Sequence, residues 1–271
     1  MTATGKLGTA LITGASSGIG ALYAHRLAHR GHDLILVARG RERLEAIQKR
    51  IVEETGRSVE LVIADLGVQE DVARVEQVLK SNPRLTLLIN NAGMGATAPL
   101  LSSDVDKMEA MIDLNVTALT RLTYAAVPGF VARGGGTLIN IASIVAVAPE
   151  LLNGVYGASK AFVVALSQSL RHELADKGVR VQVVLPGATA TEFWDNAGMP
   201  LSHLPSEIVM SAEHLVDAAL SGLDQGEFVT LPALPVAADW DAFEAARQAL
   251  RPNLSHTLPG ERYKIARPVP A

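Results

Sequence analysis

The sequence predicts one Rossmann-type α/β domain, a doubly wound parallel sheet of seven strands with helices on both faces. Short runs of Val, Leu, Ile and Ala alternate with longer helical patterns along most of the 271 residues. Such alternation is typical of parallel strands joined by right-handed helical crossovers. A glycine-rich loop directly follows the first strand, as in domains that bind a dinucleotide. Aromatic residues make up only 4% of the chain, so aliphatic side chains must fill the core.

Seven short apolar runs are predicted as strands, since each is rich in aliphatic residues and is followed by a polar residue, glycine or proline. They cover residues 10–13, 34–38, 59–64, 85–89, 137–142, 179–185 and 227–231. Between them apolar residues recur at helical spacing, and glycines at 31, 134–136 and 178 end three of the patterns. The predicted helices cover residues 21–30, 39–54, 68–79, 104–133, 156–177 and 212–223.

No Pro- or Ser-rich linker interrupts this alternation, so residues 1–231 are predicted to be one catalytic domain holding both the cofactor and substrate sites. Residues 232–271 are predicted to be a C-terminal extension, with a helix at about 239–250 and a tail carrying Pro252, Pro259, Pro268 and Pro270. The extension is compatible with a partly ordered terminus or with a flap over a neighbouring subunit.

Composition excludes several classes of function. The net charge is −4, so no basic surplus points to nucleic acid. Every apolar run is shorter than the roughly 18 residues that a membrane span needs, and the N-terminus lacks a signal-peptide layout. We therefore expect a soluble, cytoplasmic protein. Cysteine is absent, and His25 and His29, four positions apart on the first helix, are interpreted as packing or surface residues, so no metal site is predicted.

The loop after the first strand predicts a dinucleotide site. Its glycines follow the pattern G-x-x-x-G-x-G rather than G-x-G-x-x-G, and the alternative is a glycine-rich turn that binds nothing. Glycines permit close approach of a pyrophosphate, and free N–H groups at the start of the next helix favour an anion. The residues predicted to contact the cofactor here are Thr13, Gly14, Ser16, Ser17, Gly18, Ile19 and Gly20.

The end of the second strand predicts NADP in preference to NAD. An acidic residue there would bind the ribose 2′-hydroxyl, but this strand ends at Ala38, and Arg39 and Arg43 follow. A guanidinium offers a planar fork of donors to a phosphate. The alternative is that both arginines are simply solvated at the start of a helix. Asp65 and Leu66 follow the third strand, where Asp65 is placed to meet an adenine amino group.

Tyr156 and Lys160 form the predicted acid–base pair. Residues four apart lie on one face of a helix, so the pattern places an ammonium beside a phenol. Two unit charges about 4 Å apart interact by about 4 kcal/mol at an effective dielectric of ~20, which would lower the phenol pKa by roughly 3. Ser143 follows the fifth strand, and it can hold the oxygen of a substrate while Tyr156 gives it a proton.

Taken together, the motifs resemble those of the classical short-chain dehydrogenase/reductase family, from about residue 7 to residue 231. The resemblance rests on the order and spacing of residues 13–20 (TGASSGIG), residues 90–93 (NNAG), Asn115, Ser143, Tyr156 with Lys160, and Pro186-Gly187 with Thr191. It implies an oxidoreductase that uses NADP(H) to interconvert a carbonyl and a secondary or primary alcohol. The alternatives are a non-catalytic NADP-binding regulator, or an epimerase or dehydratase of the same superfamily.

The resemblance also assigns roles to individual residues. It implies that Lys160 bonds the nicotinamide ribose and that Asn115 holds a water for proton relay. Asn90 and Gly93 are expected to shape the loop under the adenosine half of the cofactor, and Asn91, Ala92 and Gly93 are expected to contact the cofactor. Pro186, Gly187, Thr189 and Thr191 are expected to fix the nicotinamide carboxamide. Family members are usually homodimers or homotetramers built on two long helices, here residues 104–133 and 154–177, but an Asp-Gly-Gly turn of tetrameric relatives is absent.

The loops flanking these residues are expected to line the substrate site. They are mainly apolar and contain no Arg or Lys in residues 94–95, 144–145, 151–153 and 193–204. We therefore expect a neutral, moderately hydrophobic small molecule as substrate, covered by a mobile lid. The residues predicted to contact it are Ser143, Tyr156, Val145, Met94, Phe193 and Trp194.

Overall fold

The computed structural model describes residues 7–265, and seven of its nine strands form one parallel sheet. The strands are β1 (Thr9–Thr13), β2 (Asp33–Ala38), β3 (Val59–Ile63), β4 (Leu85–Asn90), β5 (Gly136–Ile141), β6 (Val179–Val184), β7 (Thr189–Ala190), β8 (Met210–Ser211) and β9 (Val229–Thr230). The order in the large sheet is β3-β2-β1-β4-β5-β6-β9. This confirms the predicted doubly wound fold, whose direction of winding reverses between β1 and β4.

Helices cover both faces of the sheet because its strands are apolar on both sides. The helices are α1 (Gly18–His29), α2 (Arg41–Thr55), α3 (Gln69–Ser81), α4 (Val105–Ile112), α5 (Leu119–Ala132), α6 (Gly154–Glu173), α7 (Phe193–Asn196), α8 (Ala212–Asp224) and α9 (Ala237–Ala249). In β1, Ala10 and Ile12 pack into a core shared with α1, α2 and α8, whereas Leu11 packs into the core on the α3, α5 and α6 side.

In the structure, the single long helix predicted at residues 104–133 is divided into three helical segments. Between α4 and α5, residues Asp113–Ala118 form a π-helix, which contains the buried Asn115. A π-turn inserts one extra residue into the helical repeat, and such turns often occur at functional sites. The polar and apolar residues of this π-helix follow the same pattern as those of an α-helix, so the sequence does not indicate the change of helix type.

A second, two-stranded sheet was not predicted. Strands β7 and β8 pair in parallel, and the short helix α7 follows β7. This region lies directly after Pro186-Gly187, at the end of β6. Two-residue strands carry too little apolar pattern to be read from sequence. The last strand of the large sheet, β9, is also shorter than the predicted run at 227–231.

The chain divides into two compact units between Ala233 and Leu234. The second unit contains α9, on which the Trp240 and Phe243 rings lie 5.1 Å apart. Pro268 and Pro270 of the predicted tail are outside the described residues.

Within residues 7–265, no helix combines the length and the apolar character that crossing a membrane requires.

Candidate active site

The predicted site residues meet at the carboxyl edge of the sheet. β1, β4, β5 and β6 are consecutive neighbours in the sheet, and each ends directly before one of the sequence motifs. The loops that follow them carry the glycine loop, Asn91 to Gly93, Ser143 and Pro186-Gly187. Ligands of open α/β sheets bind in the crevice at this edge, where the strand order reverses.

The glycine loop requires glycine at three positions. Gly14 and Gly18 have positive φ angles of 64° and 50°, a conformation that other residues adopt at a cost. A Cβ atom on Gly20 would collide with the carbonyl oxygen of Gly14. Ser17 is the N-cap of α1 but makes no side-chain cap hydrogen bond, and the first turn of this helix has no acidic residue. The start of α1 is therefore open to an anion.

Thr13 and Asn91 join β1 to β4 below this loop. The Thr13 hydroxyl accepts hydrogen bonds from the backbone N–H groups of Asn91 and Ala92, both at 3.0 Å, and donates to Ile89. The Asn91 amide donates to the carbonyl oxygens of Thr13 and Gly14 at 2.9 and 3.2 Å. These two side chains hold the loop in shape, which is a positioning role for residues that the sequence suggested as cofactor contacts.

The two arginines predicted to read the 2′-phosphate differ in their surroundings. Arg39 is 79% exposed, and its guanidinium lies 3.7 Å from Asp65. Arg43 forms a 2.7 Å ion pair with Glu192, a residue 149 positions away, and this pair raises the pKa of Arg43. The Asp65 carboxylate also accepts a hydrogen bond from the backbone N–H of Gly67, while Leu66 is buried. Of the two guanidinium groups, that of Arg39 is more exposed and has the longer contact with a carboxylate.

Ser143 and Tyr156 are both buried, and the Ser143 hydroxyl is close enough to the phenol to act on its pKa. Ser143 follows β5, and its hydroxyl lies 3.4 Å from both the Pro186 carbonyl oxygen and the Val145 N–H. Tyr156 lies in the first turn of α6, where the Asn153 side chain caps the N–H groups of Val155 and Tyr156. An asparagine just before a helix is a recognisable N-cap signal, so the sequence could have assigned this role to Asn153.

Lys160 and Asn115 lie beside Gly93. The Lys160 ammonium is buried and donates a 3.0 Å hydrogen bond to the carbonyl oxygen of Ile141. The Asn115 side chain exchanges two 2.9 Å hydrogen bonds with the Met94 backbone and donates to Ser159 at 3.1 Å. A Cβ atom on Gly93 would lie 3.1 Å from Asn115 and 3.4 Å from Lys160. Asn115 therefore ties the loop after β4 to α6.

The expected lowering of the Tyr156 pKa is wrong for this structure. Burial raises the pKa of Tyr156 to about 12, and the hydrogen bond with Ser143 offsets only part of that rise. Burial also lowers the pKa of Lys160 to about 8. The ammonium lies 6.0 Å from the centroid of the Tyr156 ring and bonds to a backbone carbonyl instead. Desolvation of both groups, which the spacing of two residues does not reveal, outweighs their mutual effect.

The segment after β6 covers this site. The Phe193 ring lies 5.7 Å from the Tyr156 ring, and a Cβ atom on Gly95 would overlap it. Trp194 is buried, and its indole N–H donates to the Thr189 carbonyl oxygen at 2.9 Å. Trp194 therefore anchors the segment, while Phe193 faces the tyrosine. Met94 and Phe193 pack against the buried cluster of Val145 and Tyr156.

The same segment reaches the glycine loop. A Cβ atom on Gly18 would lie 3.2 Å from the Thr191 methyl carbon, so Thr191 and the start of α1 are in contact. The other end of the segment is bound to Thr97. The N–H and the hydroxyl of Thr97 both donate to the Ala197 carbonyl oxygen, at 3.2 and 3.0 Å. The structure thus brings together the cofactor-binding and substrate-binding predictions, although Gly95, Thr97 and Glu192 were not singled out from the sequence.

Comparisons with known proteins agree with this geometry. Residues 8–200 match the family model for short chain dehydrogenase. A short-chain dehydrogenase from Sphingobium yanoikuyae, solved in complex with NADPH, is 50% identical and superposes with a TM-score of 0.92, covering 95% of this chain and 100% of that one. A bulky-bulky ketone specific alcohol dehydrogenase from Comamonas testosteroni is 44% identical, with a TM-score of 0.88 and coverage of 96% and 99%.

A very-long-chain 3-oxoacyl-CoA reductase from Anas platyrhynchos is a more distant relative. It is 35% identical over 188 residues, which is 68% of this chain, and the match spans only 60% of that reductase. The residues matched by the family model nevertheless include β1 to β6, the glycine loop and the Ser143, Tyr156 and Lys160 positions. This chain belongs to the short chain dehydrogenase family.

Proposed function

We propose that the protein is an NADP(H)-dependent oxidoreductase that interconverts a carbonyl and an alcohol on a neutral, moderately hydrophobic small molecule. The observation that carries this proposal is the convergence of Ser143, Tyr156 and Lys160 at the sheet edge beside the glycine loop. Family membership supports the reaction class, and the NADPH complex of the Sphingobium relative supports the cofactor.

The residues around the glycine loop fit a dinucleotide. Backbone at Gly14, Gly18 and Gly20 leaves no room for side chains, and the start of α1 can take the pyrophosphate on its N–H groups. Arg39, which is largely exposed at the end of β2, would hold the 2′-phosphate. Asp65 would meet the adenine, and Lys160 the nicotinamide ribose. Thr189 and Thr191 would lie against the carboxamide. When bound, the cofactor supplies the hydride.

Tyr156 would act as the general acid when a carbonyl is reduced. The phenol is protonated at neutral pH, so a proton is available for the carbonyl oxygen as negative charge develops there. Ser143 would donate a second hydrogen bond to the same oxygen. Lys160, which is buried in the same site, would stabilise the tyrosinate that remains. Alcohol oxidation uses the same groups in the opposite order.

The substrate side of the proposed site is apolar. Met94, Val145 and Phe193 surround the Tyr156 ring, and none of the described loops over this site contains Arg or Lys at residues 94–95, 144–145, 151–153 or 193–204. Such a surface favours a ketone with apolar substituents over an anion. The bulky-bulky ketone specificity of the Comamonas relative supports this choice of substrate class.

We also propose that the chain self-associates as a homodimer or homotetramer through α4 and α6. A groove of about 580 Å³ between these helices is lined mainly by apolar side chains, and Leu100, Leu101 and Val105 beside it are 83%, 97% and 76% exposed. Contiguous exposed apolar surface usually marks an interface. Residues 1–231 remain the proposed catalytic domain, and residues 232–271 the extension.

A substrate screen tests the proposed function. NADPH or NADH absorbance would be followed at neutral pH with a panel of ketones and aldehydes that differ in bulk and charge. We expect oxidation of NADPH with neutral ketones carrying apolar substituents, faster than with carboxylated ketones of equal size. Tight NADPH binding with no turnover of any compound would instead indicate a non-catalytic regulator.

A further inference from the structure

Three ionisable side chains converge on the outer surface of the first two helices, away from the candidate active site. His25 and His29 are one turn apart on α1, and Glu54 is in the last turn of α2. The Nε2 atoms of His25 and His29 lie 2.6 and 3.3 Å from the same oxygen, Oε2 of Glu54. The nearest nitrogen or oxygen atoms of the three side chains all lie within 4.8 Å of one another.

We propose that His25, His29 and Glu54 form a binding site for a divalent transition-metal ion, with Zn²⁺ as the best match. Two imidazoles and one carboxylate form a known zinc ligand set, in which water takes the fourth position. Histidines at i and i+4 on one helix face are the spacing used by helical zinc sites. Side-chain exposures of 21%, 48% and 33% leave room for an ion and its water to enter.

The surrounding charges are compatible with a cation at this place. Arg50 donates a 2.8 Å hydrogen bond to Oε1 of Glu54, which orients the carboxylate and leaves Oε2 for the ion. The Glu54 side chain is thus held by Arg50 on one oxygen and faces both histidines with the other. The Arg26 guanidinium is held by two hydrogen bonds to Asp217.

Several contacts would change on metal binding. The Nε2 atoms of His25 and His29 would bind the ion in place of their direct contacts with Oε2 of Glu54. Arg26 lies 3.4 Å from Nδ1 of His25, and a metal on Nε2 places the imidazole proton on Nδ1. This long contact would be given up, while the two bonds from Arg26 to Asp217 remain. The ion would join α1 to α2. These are the helix that follows the glycine loop and the helix that follows Arg39. We expect the folded chain to be stabilised as a result.

Zinc binding to tag-free, chelator-treated protein tests the proposal without any activity measurement. Isothermal titration with ZnCl₂ should give one ion per chain, and the thermal unfolding midpoint should rise with zinc. His29→Ala and Glu54→Gln should each weaken binding by at least about tenfold and remove the thermal shift. The sequence contains no cysteine to compete for the ion. Circular dichroism checks that each variant is folded.

His256→Ala is the matched control, since this histidine is exposed and lies outside the three-residue cluster. It should bind zinc as the wild type does. Two results would overturn the proposal: no binding by the wild type, or affinity unchanged by His29→Ala. Full affinity in Glu54→Gln would also overturn it, because a histidine pair alone would then account for the binding.

Discussion

Tyr156 and Lys160 are buried ionisable groups whose charged forms are both disfavoured by their surroundings. The pKa of the phenol is raised to about 12 and that of the ammonium is lowered to about 8. A protonated tyrosine is the form that the proposed reduction of a carbonyl needs. We expect the substrate oxygen to enter beside the Ser143 hydroxyl, which is close enough to the phenol to act on its pKa.

Tyr156→Phe should abolish carbonyl reduction while leaving NADPH affinity nearly unchanged. The variant removes the proton donor but keeps the ring that packs against Phe193, so the local structure should persist. General acid catalysis typically contributes 10²–10⁴-fold, and we expect a loss of at least about that size. Steady-state turnover and NADPH fluorescence titration measure the two effects.

Tyr124→Phe is the control for this change, since Tyr124 is 68% exposed on α5. It should retain full activity. Turnover by Tyr156→Phe within a few-fold of the wild type would refute the general-acid role.

Lys160→Met should change how stability depends on pH. The folded-state pKa of about 8 lies below the ordinary value of 10.5, so the unfolded chain binds more protons between these values. In the wild type this lysine therefore makes the fold more stable as pH rises from about 8 towards 10.5. The variant lacks this effect. Its free energy of unfolding should therefore exceed that of the wild type most below pH 8, by roughly 3 kcal/mol or less.

Urea unfolding of both proteins at pH 7 and pH 9.5 measures this difference. Lys49→Met, which alters an exposed lysine on α2, provides the comparison and should show no such pH trend. A stability difference for Lys160→Met that is the same at both pH values would contradict the linkage.

At the scale of elements, we expect the segment of β7 and α7 to limit how large a substrate can reach Tyr156. Phe193 fills the space in front of the tyrosine, and it can do so because Gly95 presents no side chain to it. Thr97 and Trp194 fix the two ends of the contact through the carbonyl oxygens of Ala197 and Thr189. The position of the Phe193 ring therefore depends on the absence of a side chain at Gly95.

Gly95→Ala should destabilise the wild type but be nearly neutral in a Phe193→Ala background. The added methyl group overlaps the phenyl ring only when that ring is present, and such overpacking typically costs about 1–3 kcal/mol. A double-mutant cycle by urea unfolding measures the coupling. Phe193→Ala should also raise the ratio of kcat/KM for bulky over small ketones by about tenfold or more.

Gly154→Ala is the matched control, because a Cβ atom at that position meets nothing within 4 Å. It should have the same effect on stability in both backgrounds. Equal costs of Gly95→Ala with and without Phe193 would show that the two residues do not interact.

The short connection between β2 and α2, which carries Arg39, should select the cofactor. Arg39→Ala should weaken NADPH binding by about tenfold or more and NADH binding much less, because the guanidinium is expected on the 2′-phosphate. Arg41→Ala, two positions along and paired with Glu45, is the control. Fluorescence titration with both cofactors measures the effect, and equal losses for NADPH and NADH would refute the assignment.

At the scale of the whole molecule, the exposed apolar surface beside α4 and α6 should hold subunits together. Replacing Leu101 and Val105 with Asp should convert the proposed oligomer to a monomer, because each places a charge in the apolar interface. Light scattering coupled to size exclusion measures the mass against the 28.6 kDa chain. Leu254→Asp, at another 73% exposed leucine, should not change it. A wild-type monomer would contradict the proposal.

The sequence by itself determined the α/β fold and the order of the motifs, because these depend on local patterns. Apolar runs and their glycine, proline or polar ends specify parallel strands, and a strand that ends at a motif places it on the carboxyl edge of the sheet. The glycine loop, Ser143, Tyr156 and Lys160 could be named for that reason. The seven-stranded sheet confirms this part of the prediction.

Only the tertiary structure decided what depends on contacts between distant parts of the chain. The spacing of Tyr156 and Lys160 suggested a lowered phenol pKa, whereas burial by the surrounding fold raises it. The π-helix at Asn115 and the fit of Phe193 against Gly95 leave no local pattern. Glu54 lies 25 residues beyond His29 in sequence, and only the packing of α2 on α1 brings it to the histidines. Desolvation and packing are properties of the folded chain, so no short stretch of sequence carries them.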